Sequence, residues 1–412
     1  MAQEGRLMAF DLAAVRVDFP ILEEKIHGRQ LVYLDSGASA QKPVQVLDRM
    51  DHAYRHEYAN VHRGLHTLAN RATEAFEAAR EKVRAFLNAG RVEEIVFTRS
   101  TTEAINLVAS SFAGPRIGEG DEIVISIAEH HSNIVPWHFH RERKGAVIKW
   151  VDVADDGSFD LDAFAAALTD RTKMVAITHM SNVLGSINPA KEIVEIAHAR
   201  GIPVLIDGSQ GAVHTKVDVQ DIGADFYVFT GHKLYGPTGI GVLYGKYELL
   251  AEMQPFLGGG EMIEEVTTDM VTYNAPPHRF EAGTPPIVQA IGLGAAIDYV
   301  RELGRDAIEA HEHEVASYAA ERLSRINALR MIGTAPDKGG IFAFTLENAH
   351  AHDVSTILDR YGVAVRAGTH CAMPLLQRFG ATSTCRASFA LYNGKDDVDA
   401  LVEGIEKAQS FF

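Results

Sequence analysis

The chain has 412 residues, of which 46% are hydrophobic, and a formal net charge of −16. That length allows about two domains at the usual 100–200 residues each, and the acidic balance argues against a nucleic-acid partner, since no basic footprint is present to neutralise phosphates. No apolar run reaches the roughly 18 residues of a membrane span, no signal peptide is expected from Met1–Arg6, and two cysteines make neither a disulfide framework nor a zinc spacing, so the expected compartment is the reducing cytoplasm, with no membrane partner.

In chain order, Asp11 to Ile21 predicts a short helix that stops at Pro20, and Val32–Asp35 a strand that turns at Gly37. Apolar and polar blocks then alternate in the rhythm of βα units. Strands are predicted at Ile95–Thr98, Glu122–Ile127, Met174–Thr178, Pro203–Ile206, Phe226–Phe229 and Gly241–Tyr244. Ser100 and Glu103 stand at capping-box spacing and open a helix. Helical periodicity fills Leu161–Leu168 and Ala190–Ala199. Gly258–Gly260 and the Pro-rich stretch Ala275–Pro286 break the rhythm, and one long helix is expected from about Val288 to Glu321. Strands at Gly340–Thr345, Val363–Arg366 and Arg386–Phe389 and a closing helix at Asp396–Ala408 complete the chain.

Short apolar strands between helices predict an α/β fold whose mostly parallel sheet is covered on both faces. The expected organisation is an N-terminal segment 1–22 packing with the small domain, a large domain 23–295, and a smaller α+β domain 296–412. Ligands on such sheets bind outside the carboxyl ends of the strands. Thr101, Thr102, His130, Asn182, Asp207, Gln210, His232 and Lys233 all fall there.

Two of these residues carry most of the chemistry. Asp207 ends one apolar strand, and Lys233 follows the next in Thr230-Gly231-His232-Lys233. An acid and a lysine so placed suit pyridoxal phosphate: the lysine forms the Schiff base, and the acid keeps the ring nitrogen protonated so that the ring is an electron sink. Taken singly, Asp207 reads equally well as a helix cap, and Lys233 reads more readily as a solvated surface residue. Gln210 is a donor for the phenolic oxygen of the ring. Thr230 and His232 offer donors to a phosphate, and the Ser100–Thr102 turn offers a helix N-terminus. His130 could stack on the ring and shuttle protons, and His131 beside it is not separable from it by sequence. Cys371 sits in the loop sequence Arg366-Ala367-Gly368-Thr369-His370-Cys371-Ala372-Met373-Pro374. A thiol there can accept a sulfur atom, and Arg366 favours its thiolate. The plainer reading of any free cysteine is a small buried hydrophobe, which suits Cys385. Arg386 can bind an α-carboxylate bidentately.

Together these residues resemble the class V aminotransferase family of fold-type I pyridoxal-phosphate enzymes, and within it the group II, SufS-type cysteine desulfurases. The resemblance runs through Tyr33-Leu34-Asp35, Asn60–Gly64, Thr101-Thr102-Glu103, Glu129–Asn133, Asp207–Gln210, Thr230–Lys233, Phe280–Pro285, Arg366–Pro374, Arg386–Phe389 and Tyr392-Asn393. Arg-x-Gly-x-x-Cys-Ala-x-Pro is the specific motif; the lysine and the acid fit the whole superfamily. Thr369 stands where relatives often carry histidine, and Gly394 where threonine is common.

The resemblance implies a fold-type I architecture with a seven-stranded sheet in the large domain. It implies Lys233 as cofactor lysine and acid/base, His130 against the ring, and Asp207 and Gln210 at its nitrogen and phenolic oxygen. Thr101, Thr102, Thr230 and His232 would bind the phosphate, with Thr284 supplied by the second subunit of a homodimer. Asn182, Arg366 and Arg386 would hold the substrate. The implied reaction converts L-cysteine to L-alanine and leaves a persulfide on Cys371, destined for a SufE- or SufU-like acceptor and iron–sulfur cluster assembly. Selenocysteine fits the same chemistry. The alternatives are another class V aminotransferase or β-lyase, or a non-catalytic sulfur-transfer scaffold. No metal site is expected.

Overall fold

Seven strands form the larger of two main sheets in the computed structural model, which describes residues 10–412. They are β1 (Ile95–Thr98), β2 (Glu122–Ser126), β3 (Val147–Val151), β4 (Thr172–Thr178), β5 (Val204–Asp207), β6 (Phe226–Thr230) and β7 (Gly241–Gly245). Their order across the sheet is β1-β7-β6-β5-β4-β2-β3. Strands β2 to β6 are parallel, and β7 runs antiparallel to both of its neighbours, β1 and β6. The inner strands are unbroken apolar runs: every residue of β5, β6 and β7 is buried. A sheet covered on both faces requires such runs. Alternate side chains go to opposite cores. Phe229 and Val242 join Phe76, Val83 and Leu293 on one face, whereas Val228 and Leu243 join Ile105, Phe112 and Trp137 on the other.

The smaller sheet is antiparallel, in the order β8 (Leu329–Ile332), β9 (Ile341–Leu346), β11 (Thr384–Ser388), β10 (Arg366–Gly368). Helices Arg305–Ser324, Ala351–Arg360 and Lys395–Gln409 cover it around Phe342, Phe344, Leu401 and Ile405. This is the α/β, fold-type I arrangement the sequence implied.

Several local expectations are corrected. The single long helix is two, Ile287–Leu303 and Arg305–Ser324, broken at Gly304 with φ 85°. Glycine takes that left-handed turn without a Cβ penalty, and the helical periodicity on either side hid the break. The first helix buries Leu293 and Val300 in the larger core, and the second buries Ala319 and Leu323 in the smaller. The expected strand Val363–Arg366 is also divided. Val363–Ala364 pairs in parallel with Val32–Tyr33, and Arg366–Gly368 joins the small sheet. Strand β3 and helix Thr67–Leu87 were not anticipated. The N-terminal helix is Leu12–Val17, with a separate 3₁₀ turn at Pro20–Glu23. Residues 1–9 of the expected N-terminal segment lie outside the described residues. Among the described residues, no helix is long and apolar enough to cross a membrane.

Candidate active site

The parallel strands β2, β4, β5 and β6 end side by side: Thr178 is in register with Asp207, and Asp207 with Val228. The turn after β1 reaches the same edge because Gly241 opens β7 there. A Cβ at Gly241 would lie 2.6 Å from the Cα of Ser100, so only glycine lets Ser100–Thr102 approach. Above this edge lies a cavity of about 290 Å³. Twelve of the thirteen anticipated site residues line it: Thr101, Thr102, His130, Asn182, Asp207, Gln210, Thr230, His232 and Lys233 from the larger sheet, and Arg366, Cys371 and Arg386 from the smaller. Thr284 does not. It is exposed in the loop after Gly283, ahead of helix Ile287–Leu303.

Asp207 is buried, and burial pushes its carboxyl pKa up. Its Oδ1 accepts from the Ser209 backbone N–H at 2.9 Å and from the Ser209 hydroxyl at 2.6 Å. Ser209 Oγ also lies 3.0 Å from Thr101 Oγ1. These bonds fix the carboxylate and tie it to the Ser100–Thr102 turn. Burial lowers Lys233 to about 8, against the upward pull of Asp207. Its amine is therefore partly uncharged near neutrality, as a nucleophile or base requires.

His130 caps a 3₁₀ turn, and its Nδ1 accepts from the Ser132 backbone N–H at 3.1 Å. Burial, aided by the Lys233 charge, lowers its pKa to about 3. The ring is neutral, with Nδ1 committed to an acceptor role. His232 is likewise held down to about 4, by burial first and then by Lys233 and Lys42. Gln210 donates from Nε2 to the Gly37 carbonyl at 2.7 Å.

Arg386 projects from β11 and is almost wholly buried. Its Nη1 donates to the Asn182 carbonyl at 2.9 Å and its Nη2 to Asp35 Oδ1 at 3.1 Å. Its Nε–H has no partner among the described residues. Asn182 Nδ2 donates to the His370 carbonyl at 2.8 Å, so this amide also holds the cysteine loop. His370 and Cys371 have φ of 52° and 55°. Non-glycine residues in this region cost about 1–3 kcal/mol each and persist only where neighbours hold them. The Cys371 thiol is exposed, whereas Cys385 is buried and raised by burial to about 12.

Sequence reasoning missed the supporting residues Ser209, Ser132 and Asp35. The first two stand two positions after Asp207 and His130, which is the spacing of local side-chain-to-backbone turns. Asp35 was visible only as part of a motif.

The residues fit pyridoxal phosphate on their own chemistry. Asp207 Oδ2 makes no hydrogen bond among the described residues, Lys233 carries a depressed pKa, and Arg386 Nε–H is an orphaned buried donor. A buried carboxylate, a free amine and an unpaired guanidinium donor are what the ring nitrogen, the aldehyde and a substrate carboxylate need.

Comparison with known proteins gives the same result. The family model described as "Aminotransferase class-V" matches residues 32–401. The chain is 51% identical to a probable cysteine desulfurase of Halalkalibacterium halodurans, covering 96% of this chain and 97% of that one. It is 52% identical to the cysteine desulfurase of Dickeya dadantii, covering 97% of each. Among solved structures, cysteine desulfurase CsdA of Escherichia coli matches with TM-score 0.91 and 43% identity, over 98% of this chain and 100% of that one. The apo cysteine desulfurase of Thermococcus onnurineus NA1 matches with TM-score 0.92 and 37% identity, over 97% and 98%. The chain belongs to the class-V aminotransferase family of fold-type I pyridoxal-phosphate enzymes, on its cysteine desulfurase branch.

Proposed function

We propose that the protein is a cysteine desulfurase that converts L-cysteine to L-alanine and keeps the sulfur on Cys371 as a persulfide. The observation that carries this reading is that Lys233 and Cys371, from different sheets, line one cavity. A transaminase or β-lyase on this fold has no use for a thiol there.

Pyridoxal phosphate, when bound, supplies the electron sink that makes the substrate's α-proton acidic and its sulfur an electrophile. Lys233 is the cofactor lysine and, through Nζ, the base that removes the α-proton. Asp207 would pair with the positive charge of the ring nitrogen, and that charge would offset the effect of burial on its carboxyl. Thr101, Thr102, Thr230 and His232 would hold the phosphate, Gln210 would serve the phenolic oxygen, and neutral His130 would lie against the ring. Arg386 and Asn182 orient the substrate carboxylate. The Cys371 thiolate attacks the substrate sulfur. An S–S bond forms as the C–S bond breaks, and the electron pair of that bond stays with the carbon skeleton. Two protons complete alanine: Lys233 Nζ returns the one it took from Cα, and the one added at Cβ balances the proton that Cys371 sheds on becoming a thiolate.

The acceptor of the persulfide is a SufE- or SufU-like protein feeding iron–sulfur cluster assembly, in line with the group II character of the cysteine motif. Selenocysteine is a second substrate of the same geometry. Thr284 completes the phosphate site of a second subunit, which accounts for its exposure at a distance from its own chain's cavity. The working form is then a cytoplasmic homodimer, with the two domains joined at Gly304, between a helix buried in the larger core and one buried in the smaller.

The test is alanine release from L-cysteine by wild-type protein and by Cys371→Ser. The variant should keep the visible cofactor absorbance and lose persulfide-dependent turnover. Full sulfur transfer by Cys371→Ser would contradict the proposal.

A further inference from the structure

Asp35 lies on the segment that precedes the larger sheet, yet it is bound to the smaller one. The Ser388 N–H donates to the Leu34 carbonyl at 2.7 Å, and the Ser36 N–H to the Ser388 carbonyl at 3.3 Å. This zipper sets Asp35 beside β11 in a fixed register, two residues from Arg386. Its carboxylate is shared by two arginines. Arg366 reaches it with Nε at 3.2 and 3.1 Å and with Nη2 at 3.0 Å. Arg386 reaches Oδ1 with Nη2 at 3.1 Å.

The two arginines differ in environment. Arg366 is half exposed and needs no counter-charge, whereas the Arg386 side chain is 2% exposed. A guanidinium buried that far is costly unless it is paired and hydrogen-bonded. Asp35 is the carboxylate that pairs with it. The division of donors is informative. Nη1 and Nη2 of Arg386 are each held by the chain and Nε–H is not. Arg366 has both Nε and Nη2 turned onto Asp35, so the same carboxylate takes that edge of the guanidinium and leaves Nη1.

We propose that Asp35 is a positioning residue for the substrate carboxylate. It pairs with the buried Arg386 guanidinium and holds it turned so that Nε–H remains for the α-carboxylate, and it engages the Nε/Nη2 edge of Arg366 so that this second cation does not compete for the same group through that edge. Arg366 in turn occupies both Asp35 oxygens and keeps them from closing over the Nε edge of Arg386. The inference rests on the reading of Arg386 as the carboxylate-binding residue.

The experiment uses holoenzyme variants, with steady-state kinetics on L-cysteine and equilibrium titration of L-alanine followed by cofactor absorbance. Asp35→Asn keeps the shape and removes the charge. It should raise KM about tenfold and weaken L-alanine binding by the same factor, with kcat within about threefold, because a charge-assisted orientation is lost and not a reacting group. Asp35→Glu should recover part of the loss. Arg366→Gln should also raise KM, by freeing Asp35 to cover Nε, and it serves if Asp35→Asn does not fold. KM and L-alanine affinity within about twofold of wild type in either foldable variant would overturn the inference. Arg386→Lys separates the two claims. If it raises KM while Asp35→Asn does not, only the role of Asp35 fails. If it leaves KM unchanged, the carboxylate reading of Arg386 fails, and this inference with it.

Discussion

The backbone N–H of His131 donates to the carbonyl oxygen of Cys371 at 2.7 Å. One residue belongs to the loop after β2 of the larger sheet and the other to the loop after β10 of the smaller. His131 Nε2 also accepts from the Met373 N–H at 3.3 Å. His131 is thus a clamp on the cysteine loop, whereas His130 turns into the cavity. The geometry separates two histidines that their order in the chain does not.

The clamp can be tested by side chain. His131→Phe removes the acceptor for Met373, and His131→Gln offers an amide oxygen in its place. One hydrogen bond contributes about 0.5–1.5 kcal/mol net. Alkylation of Cys371 should therefore speed up by about threefold to tenfold in the Phe variant and return toward wild type in the Gln variant. Equal alkylation rates in all three would remove His131 from this role.

The two thiols should behave differently. Cys371 is exposed, and Cys385 is buried with its Sγ 3.0 Å from the Ala351 carbonyl and its pKa raised to about 12. Reactivity follows the thiolate. Aromatic-disulfide titration should release one equivalent from the native protein and two after denaturation. Peptide mapping should place the native label on Cys371.

Much of this site was legible in the sequence because its parts end strands. Asp207 and Thr230 terminate β5 and β6, and an apolar run that stops on a polar residue can be read directly. Gly304 was missed because the apolar periodicity continues on both sides of it, and a lone glycine inside a helical pattern is often tolerated. Strand β3 was missed because it is an edge. Val147 and Trp150 are exposed, which blurs the apolar run that identifies its neighbours. The Asp35–Arg386 pair spans 351 positions, and no local pattern reports a contact made by a tertiary zipper. The strain at His370 and Cys371 was equally hidden, since neither residue type signals a left-handed backbone.

Loading of the cofactor should depend on pH through Lys233. Burial lowers this amine to about 8. Below that pH it is protonated and cannot attack an aldehyde; above it the free amine predominates. The rate of pyridoxal phosphate uptake by apoprotein should rise through about pH 8 and level off. Borohydride reduction followed by peptide mapping should place the cofactor on Lys233. A rate that falls across this range would contradict the assignment.

The loop that carries Thr284 is anchored by an ion pair. Arg80 Nη1 meets Glu281 Oε1 at 2.6 Å, and Nη2 meets Oε2 at 2.9 Å, with both side chains buried. Glu281 Oε1 also accepts from the Phe97 N–H at 2.7 Å. Removing one partner of a buried pair typically costs about 3–5 kcal/mol. Glu281→Ala should lower the thermal midpoint markedly. Arg80→Met with Glu281→Leu should lose less than Glu281→Ala, since the buried guanidinium goes with its carboxylate, and Glu77, the other partner of Arg80, is part-exposed and still paired with His62.

The most direct test of the account is the fate of the substrate sulfur. Holoenzyme is mixed with L-cysteine in the absence of any thiol acceptor, quenched with an alkylating agent, and analysed by peptide mass alongside the alanine formed. The account predicts one added sulfur on the Cys371 peptide, none on the Cys385 peptide, and one alanine per modified subunit in the first turnover. Alanine formed with Cys371 unmodified, or pyruvate and ammonia in place of alanine, would contradict it.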